Sequence, residues 1–268
     1  MTEIARPRRA VVVAAGMGRR LAPYTDEMPK CLVPVRGRPM LARAIDSFRA
    51  HGVDDVVVVR GYLAEVLERR QGELAPPGVV RFVENRAYRD NNILQSLFHA
   101  ADALDGPFLF TYADIVFARD VVTRLMDAPG DICLVVDRRF RDIYEGRTEH
   151  PLPEAEVLSV GDDGFVAKVG KRALPPEEAV GEFIGLAKLS AAGAARFVAA
   201  WRALERDYAG RDQAPFQRAP SWRQAYLTDL LQHLIDGGER MVPVYIDGQW
   251  REIDTVQDLH RAEATVDF

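Results

Sequence analysis

The stretch AVVVAAGMGRRLAPYTDEMPK, residues 10–30, decides how the chain folds. It opens with a continuous run of small and β-branched apolar residues, Ala10 to Ala15, which is typical of a strand buried on both faces. Gly16 and Gly18 follow at once, where the backbone can adopt positive φ and come close to a ligand. Backbone N–H groups in such a loop can surround phosphate oxygens. The stretch therefore predicts a buried strand that ends in an anion-binding loop.

Further apolar runs downstream predict more strands, and helical patterns separate them. The predicted strands are Asp55 to Arg60, Val79 to Glu84, Phe108 to Tyr112 and Ile132 to Asp137. The predicted helices are Pro39 to His51, Leu63 to Arg70, Ile93 to Leu104 and Arg119 to Met126. Alternating strands and helices favour parallel crossovers with helices on both faces of a sheet. We expect an α/β fold, a Rossmann-like three-layer αβα sandwich with a mainly parallel mixed sheet, and ligands at the carboxyl ends of its strands.

The second half of the chain has a different pattern. The turn at 161–164 predicts a hairpin between strands at 155–160 and 165–169, and residues 182–189 predict another strand. Helical patterns cover 191–208 and 222–236, and a strand pair at 241–246 and 250–253 precedes a closing helix from Val256. No linker composition interrupts the chain. We expect a single domain over residues 1–268, with a nucleotide-binding half, 1–137, and a C-terminal acceptor-binding lobe, 138–268.

Composition restricts the class of protein. The chain has 268 residues, a net charge of -5, and 48% apolar and 28% charged residues, which is ordinary for a soluble enzyme. The acidic balance argues against a nucleic-acid binder, which usually carries a basic face. Cys31 and Cys133 are far apart, and no apolar run is long enough to span a membrane. We expect a cytoplasmic enzyme that binds neither nucleic acid nor membrane, with a homodimer as one possible assembly.

The whole opening stretch resembles the nucleotidyltransferase superfamily, which includes sugar-nucleotide pyrophosphorylases and the phosphocholine and phosphonate cytidylyltransferases. The signature of that superfamily is G-x-G-x-R-L-x-P followed by P-K, and it is matched here by Gly16, Gly18, Arg20, Leu21, Pro23, Pro29 and Lys30. The resemblance implies that the loop wraps the phosphates of an NTP, with Arg20 on the β- and γ-groups and Lys30 near the reacting phosphorus. The implied contacts of the loop are Ala14, Ala15, Gly16, Met17, Gly18, Arg19, Arg20 and Lys30.

Two distant aspartates are candidate metal ligands. Asp114 follows an apolar strand at the same sheet edge as the loop, and Asp254 ends another short strand near the C-terminus. Taken alone, each suits an ordinary cap, and Asp254 stands where it could cap the helix from Val256. The resemblance implies that the two carboxylates hold Mg²⁺, which prefers one or two carboxylates beside phosphates and water.

A polar segment before the third predicted helix is the candidate base-binding region. Asn91 and Asn92, followed by Ser96, suit a polar loop in which one asparagine caps the helix. The same residues resemble the phosphocholine-cytidylyltransferase branch, whereas sugar enzymes usually carry a glycine-rich or glutamine-containing segment there. The resemblance therefore favours CTP, with all three residues as possible base contacts.

The acceptor is expected on the C-terminal side, and the candidate contacts are Tyr112, Arg139, Arg141, Tyr144, Arg147, Lys171 and Glu182. Lys171 stands where the second lysine of the family contacts the acceptor phosphate, so it joins Lys30 and Arg20 as a catalytic candidate. Several cations between Arg138 and His150 favour a substrate with more than one anionic group, such as a phosphonate.

Three alternatives remain open at this stage. A choline-like cation would need an aromatic cage, which Tyr112, Tyr144 and Trp250 could supply. A sugar-1-phosphate nucleotidyltransferase would use the same loop and metal. A catalytically silent regulatory homologue is the third, and the presence of Arg20, Lys30 and both aspartates argues against it.

Overall fold

A computed structural model describes residues 5–268 of the chain. The strands, numbered in chain order, are β1 (Arg9–Ala14), β2 (Pro34–Val35), β3 (Arg38–Pro39), β4 (Asp55–Arg60), β5 (Val80–Glu84), β6 (Phe108–Tyr112), β7 (Ile115–Phe117), β8 (Ile132–Asp137), β9 (Glu156–Val160), β10 (Val166–Lys171), β11 (Gly181–Leu189), β12 (Val242–Ile246) and β13 (Trp250–Glu252). The helices are α1 (Met40–Arg49), α2 (Ala64–Arg69), α3 (Gln71–Leu74), α4 (Ile93–Phe98), α5 (Arg119–Asp127), α6 (Phe140–Tyr144), α7 (Ala191–Asp207), α8 (Leu227–Asp236) and α9 (Val256–Thr265).

Nine of these strands form one mixed sheet. Its main path is β10-β9-β11-β6-β1-β4-β5, and β8 and β12 extend it beside β11. β1 is parallel to β4 and β6, and β4 is parallel to β5, whereas β11 is antiparallel to β6, β8 and β9. The predicted α/β fold with a parallel central sheet is confirmed. The first strand of the chain lies at the centre of that sheet, which explains its uninterrupted apolar sequence.

The two faces of β1 contribute to two separate apolar cores. Val12 packs in one core with Phe48 of α1 and Leu125 of α5. Val13 packs in the other core with Leu97 of α4, and helices α7 and α8 close that face. Burying one such side chain contributes roughly 1.5–3 kcal/mol. Because each core also takes residues from the second half of the chain, both halves are needed to cover the sheet.

The last two strands do not pair with each other, contrary to the sequence-based prediction. β12 is parallel to β8, and β13 is antiparallel to β7. The fully buried carboxylate of Asp137, at the end of β8, explains the change of direction. It accepts hydrogen bonds from Gly248 N at 2.8 Å, Arg139 N at 2.9 Å and Trp250 Nε1 at 2.8 Å. These bonds hold the turn after β12 and direct β13 towards β7.

Two predicted helices are shorter than the sequence pattern suggests. The pattern at 93–104 ends as an α-helix at Phe98, and a 3₁₀ turn follows at Ala101–Ala103. The pattern at 222–236 begins with a 3₁₀ turn, and α8 starts only at Leu227 because the Asp229 carboxylate accepts the Tyr226 N–H at 2.8 Å. No helix within residues 5–268 combines the length and the apolar character needed to cross a membrane.

Candidate active site

A cleft of about 490 Å³ opens at the carboxyl ends of β1 and β6. Its walls come from the glycine loop after β1, from the polar turn before α4 and from side chains of β9, β10, β11 and β13. The nucleotide-binding residues predicted from the sequence all line it, namely Ala14, Ala15, Gly16, Met17, Gly18, Arg19, Arg20, Lys30, Asn91, Asn92 and Ser96. The structure therefore brings both predicted parts of the nucleotide site to one place.

Gly18 is the residue of the loop whose conformation matters most. Its φ is +59°, and a Cβ atom there would come within 2.9 Å of the Lys30 Cβ. The Thr25 hydroxyl donates to the Gly18 carbonyl at 3.0 Å and holds the far side of the loop against it. A side chain at this position would be strained and would push the lysine away. Gly18 therefore allows Lys30 to pack directly beneath the loop.

Lys30 lies between the two predicted metal ligands. Its Nζ donates to Asp114 Oδ2 at 2.8 Å and to Asp254 Oδ1. The two aspartates are themselves held together, because Ile253 N donates to the Asp114 carbonyl at 2.9 Å. Burial opposes the charge of Lys30, but Asp114 and Asp254 raise its pKa above the ordinary value. The lysine is therefore a fixed positive charge at the floor of the cleft.

Asp254 makes contacts with cations rather than with a helix end. Arg20 donates to its Oδ2 at 2.7 Å, and His150 Nδ1 lies 2.8 Å from the same oxygen. Burial disfavours the ionised form, but Lys30, the His150 hydrogen bond and Arg20 hold the pKa of Asp254 well below its usual range. The cap of α9 is Thr255 instead, whose hydroxyl accepts from Asp258 N. The expectation that Asp254 caps this helix is wrong, and its carboxylate contacts Lys30, Arg20 and His150 instead.

The residues present can accommodate a divalent cation. Asp114 Oδ1 is buried and has no hydrogen-bond partner within residues 5–268. His150, Glu252 and Asp254 each place one ligand atom within 4.8 Å of the others. Carboxylate oxygens are the ligands that Mg²⁺ prefers. His150 and Glu252 are additions to the predicted pair of aspartates.

Asn85 organises the polar turn at the nucleotide end. It is fully buried, and its Nδ2 donates to Asn91 Oδ1 at 2.9 Å and to Ser96 Oγ at 2.8 Å. Asn92 accepts from Ile93 N as the cap of α4 and donates to Gln224 O, so both ends of its amide are used. Among the three predicted base contacts, the side chains of Asn91 and Ser96 are held at the cleft by Asn85, whereas the side chain of Asn92 caps α4.

Three of the predicted acceptor contacts line the other end of the cleft. The Tyr112 hydroxyl donates to Glu156 Oε2 at 2.9 Å, and Glu182 faces the same space from β11. Lys171 Nζ donates to Glu154 Oε2 at 3.3 Å and lies 5.2 Å from the centre of the Tyr226 ring. Tyr112 reaches this position because Gly185 has no side chain, since a Cβ there would come within 2.1 Å of the tyrosine ring.

Arg139, Arg141, Arg147 and Tyr144 do not line the cleft, contrary to the sequence-based expectation. Arg139 is exposed and pairs with Asp142 at 2.6 Å, and Arg141 donates to the Ala179 carbonyl at 3.1 Å. Arg147 is buried behind the cleft, where it pairs with Asp258 at 2.6 Å and with Glu252 at 3.0 Å. The Tyr144 ring lies beneath the Arg147 guanidinium, whose carbon is 5.0 Å from the ring centre. The four arginines of segment 138–150 therefore make their contacts away from the cleft or behind its wall, where Arg147 reaches Glu252.

The family model for the MobA-like NTP transferase domain matches residues 10–243, which include the glycine loop, Lys30 and Asp114. The chain belongs to this family. As a MobA-like NTP transferase it is a nucleotidyltransferase, and in its structure the loop, Lys30 and the two aspartates meet around one cleft. Asp254 and α9 lie beyond the part that the family model matches.

Named relatives of this nucleotidyltransferase include cytidylyltransferases. A CTP:phosphoglutamine cytidylyltransferase from Campylobacter jejuni is 30% identical over 256 residues, which cover 93% of this chain and 97% of that protein. A 2-aminoethylphosphonate cytidylyltransferase from Lancefieldella rimae is 32% identical over 171 residues, which cover 62% of each chain. The solved structure of CTP:phosphocholine cytidylyltransferase from Streptococcus pneumoniae superimposes with a TM-score of 0.70 at 22% identity, over 97% of this chain and 99% of that one, and shows the shared fold.

Sequence reasoning missed three of the six acidic residues that line the cleft of this MobA-like NTP transferase, namely Glu154, Glu156 and Glu252, as well as Tyr88 and Tyr226. One signal could have found Glu156. It stands in an apolar strand, as Glu182 does, and an ionisable residue in that position needs a partner or a function. Burial raises the pKa of Glu156 to about 7 and raises the pKa of Glu182 well above its ordinary value.

Proposed function

We propose that this nucleotidyltransferase moves CMP from CTP to a small phosphonate or phosphate ester and releases pyrophosphate, in a reaction that needs Mg²⁺. The observation that carries the proposal is that the glycine loop, the Lys30–Asp114–Asp254 group and Lys171 all face one cleft. One end of that cleft suits a triphosphate, and Lys171 offers a cation to a second phosphorus group. The named cytidylyltransferase relatives support CTP as the donor.

The reaction is a single displacement at the α-phosphorus. An oxygen of the acceptor attacks in line, and the new oxygen–phosphorus bond forms as the bond to the pyrophosphate oxygen breaks. A phosphonate or phosphate oxygen is already ionised at neutral pH, so no residue has to remove a proton. Lys171 would hold the attacking group, Lys30 would balance charge at the reacting phosphorus, and Arg20 would hold the leaving pyrophosphate. Catalysis then comes from positioning and fixed charge.

Asp114 and Asp254 would hold the metal ion, with His150 and Glu252 beside Asp254 as further candidates. When bound, Mg²⁺ would supply positive charge next to the phosphate oxygens. Removal of the ion with EDTA is therefore expected to abolish turnover, and Asp114→Asn is expected to need far more Mg²⁺ for the same rate. Activity that is unchanged in EDTA would remove both aspartates from this role.

The decisive experiment incubates the protein with each NTP in turn, Mg²⁺ and a panel of phosphonates and phosphate esters, and measures pyrophosphate release. We expect release with CTP and with at least one small phosphonate or phosphate ester. Stronger turnover of glucose 1-phosphate with UTP or dTTP would favour the sugar-nucleotide alternative instead. No release with any pair would favour a silent regulatory homologue. Of these outcomes, the first has the support of the named relatives.

A further inference from the structure

The acceptor end of the cleft is acidic. Among the described residues that line this end, Glu154, Glu156, Glu182 and Glu252 face a single lysine, Lys171, which already pairs with Glu154. At the nucleotide end, Arg20 and Lys30 contact the two aspartates. Glu252 pairs with Arg147 behind the cleft, whereas burial raises the pKa of Glu156 to about 7 and the pKa of Glu182 well above its ordinary value. A positive group on the ligand would favour the ionised form of these buried carboxyls, so this end suits a substrate that carries a cation beside its phosphorus group.

Of these four glutamates, Glu182 has a buried carboxylate oxygen that accepts no hydrogen bond within residues 5–268. Its side chain is in β11, and the residue is only 4% exposed. The Tyr144 hydroxyl donates to Oε1 at 2.8 Å, whereas Oε2 is buried with no hydrogen-bond partner within residues 5–268. A buried oxygen of this kind is stabilised when a donor reaches it. The neighbouring Glu156 differs, because Tyr112 and Thr228 donate to its two oxygens.

We propose that Glu182 Oε2 accepts an N–H from a protonated primary amine of the acceptor, so that the substrate is an aminoalkyl phosphonate or phosphate rather than a quaternary ammonium ester. This inference rests on the proposed function. A primary ammonium group supplies both the charge and the N–H that the unpaired oxygen lacks, and such charge-assisted bonds are about twice as strong as neutral ones. A trimethylammonium group has no N–H and would leave Oε2 unpaired.

The rest of the pocket agrees with a small ammonium group. Burial raises the pKa of Glu182 well above its ordinary value, and a cation in contact would restore the ionised form. An aromatic cage for a quaternary ammonium would need free ring faces. The Tyr144 ring lies outside the cleft lining and under Arg147, at 5.0 Å, and the Tyr226 ring already contacts Lys171. Tyr112 and Trp250 also line the cleft, and their polar tips donate to Glu156 and Asp137, whereas Glu182 Oε2 has no hydrogen-bond partner within residues 5–268.

The test measures binding and turnover with matched acceptors on the full chain. Phosphoethanolamine and phosphocholine differ only in N-methylation, and 2-aminoethylphosphonate and 2-hydroxyethylphosphonate differ only in the amine. Isothermal calorimetry, with and without CTP, measures binding, and pyrophosphate release measures turnover. We expect each primary amine to bind at least 10-fold more tightly than its partner. Equal binding of the two members of both pairs, tighter binding of phosphocholine, or no binding of any amine would overturn the inference.

The variant Glu182→Gln keeps the shape of the side chain and removes its charge. We expect kcat/KM for the amine acceptor to fall by about 10- to 100-fold, as the loss of one charge-assisted bond implies, with little change for the hydroxyl analogue or in the KM for CTP. Glu156→Gln is the matched control, and its effect on the amine-to-hydroxyl ratio should be smaller. An equal loss with both analogues would overturn the inference while leaving the proposed function intact.

If no acceptor supports pyrophosphate release, the proposed function is wrong, but calorimetry still tests whether Glu182 binds a primary amine. Binding of a primary amine that Glu182→Gln abolishes would support the assignment even then. Thermal melting of each variant confirms that it is folded before either measurement.

Discussion

The two ends of the cleft are built in different ways. The nucleotide end is formed by consecutive residues of one loop, at the carboxyl end of a central strand, and its shape depends on backbone conformation at Gly18. The acceptor end is formed by side chains from β9, β10, β11 and β13, which meet only when the sheet is complete. The first end offers positive charge and N–H groups, and the second offers carboxylates. This contrast indicates that the shape of the first end depends on local backbone conformation, whereas the second end depends on side chains from distant parts of the chain.

Lys30→Ala tests the nucleotide end and should have the largest effect. Turnover should fall by about 10²–10³-fold, because a fixed charge at the reacting phosphorus is lost. The measurement is kcat in the folded variant. Lys188→Ala is the control, since Lys188 is also a buried lysine but donates to backbone carbonyls, that of Met126 at 3.2 Å and that of Ala128, away from the cleft. A folded Lys30→Ala protein with near-normal turnover would contradict the assignment.

Arg147→Ala tests whether the segment 138–150 supports the acceptor end from behind. The Arg147 side chain is 1% exposed and pairs with Asp258 and Glu252. Its loss leaves buried carboxylates without a partner, which should lower the free energy of unfolding by about 3–5 kcal/mol. Arg139→Ala removes an exposed pair with Asp142 and should not change denaturant unfolding measurably. Equal free energies of unfolding for the two variants would contradict the buried pairing and favour Arg147 as a surface residue that contacts substrate.

Lys171→Ala tests the contact with the acceptor phosphorus group. The acceptor KM should rise roughly 10- to 100-fold, the value of one charge-assisted contact, while the KM for CTP stays nearly unchanged. Arg172→Ala is a matched control, because Arg172 is exposed and lies 3.8 Å from the same Glu154. Steady-state kinetics with both substrates varied separates the two parameters. A rise in both KM values would mean that the two ends of the cleft are not independent.

Glu182→Gln should have the smallest effect of these variants, a modest increase in the stability of the fold. Burial raises the pKa of Glu182, so the folded state keeps a proton that the unfolded state has lost above its ordinary pKa. The free energy of unfolding therefore falls as pH rises above the ordinary pKa of glutamate, whereas glutamine does not titrate and causes no such fall. Melting temperature should increase by about 2–4 °C at pH 8, which corresponds to about 1 kcal/mol in a domain of this size, and by less at pH 5. A lower melting temperature at pH 8 would contradict the charge argument.

Much of the nucleotide end could be predicted from sequence because its information is local. An apolar run followed by two glycines, an arginine and a Pro-Lys pair gives both the strand and the loop, and Asp114 follows a second such run. Asp254 could be predicted only through resemblance, since its contact with Lys30 joins residues 224 positions apart. Mg²⁺ dependence, CTP, a cytoplasmic location, the homodimer and the absence of nucleic-acid or membrane partners remain predictions.

The acceptor end could not be predicted in the same way because charge pairing is not local. The cations of segment 138–150 look free in the sequence, but Arg147 pairs with Asp258, 111 residues later, and Arg138 pairs with Asp247. Once these partners are known, an expected surplus of positive charge becomes an acidic pocket. Glu156 and Glu182 stand within apolar strands and Glu154 lies in a turn, so a search for charge clusters does not bring them together.

The contact between Lys30 and Asp254 also bears on how the protein is made. A ribosome adds residues from the N-terminus, so the glycine loop is synthesised long before Asp254. Asp114 is added earlier than Asp254, so of the two carboxylates that Lys30 contacts in the finished fold it is the first to become available. The contacts of Arg20 and Lys30 with Asp254 form only after β13 has been synthesised.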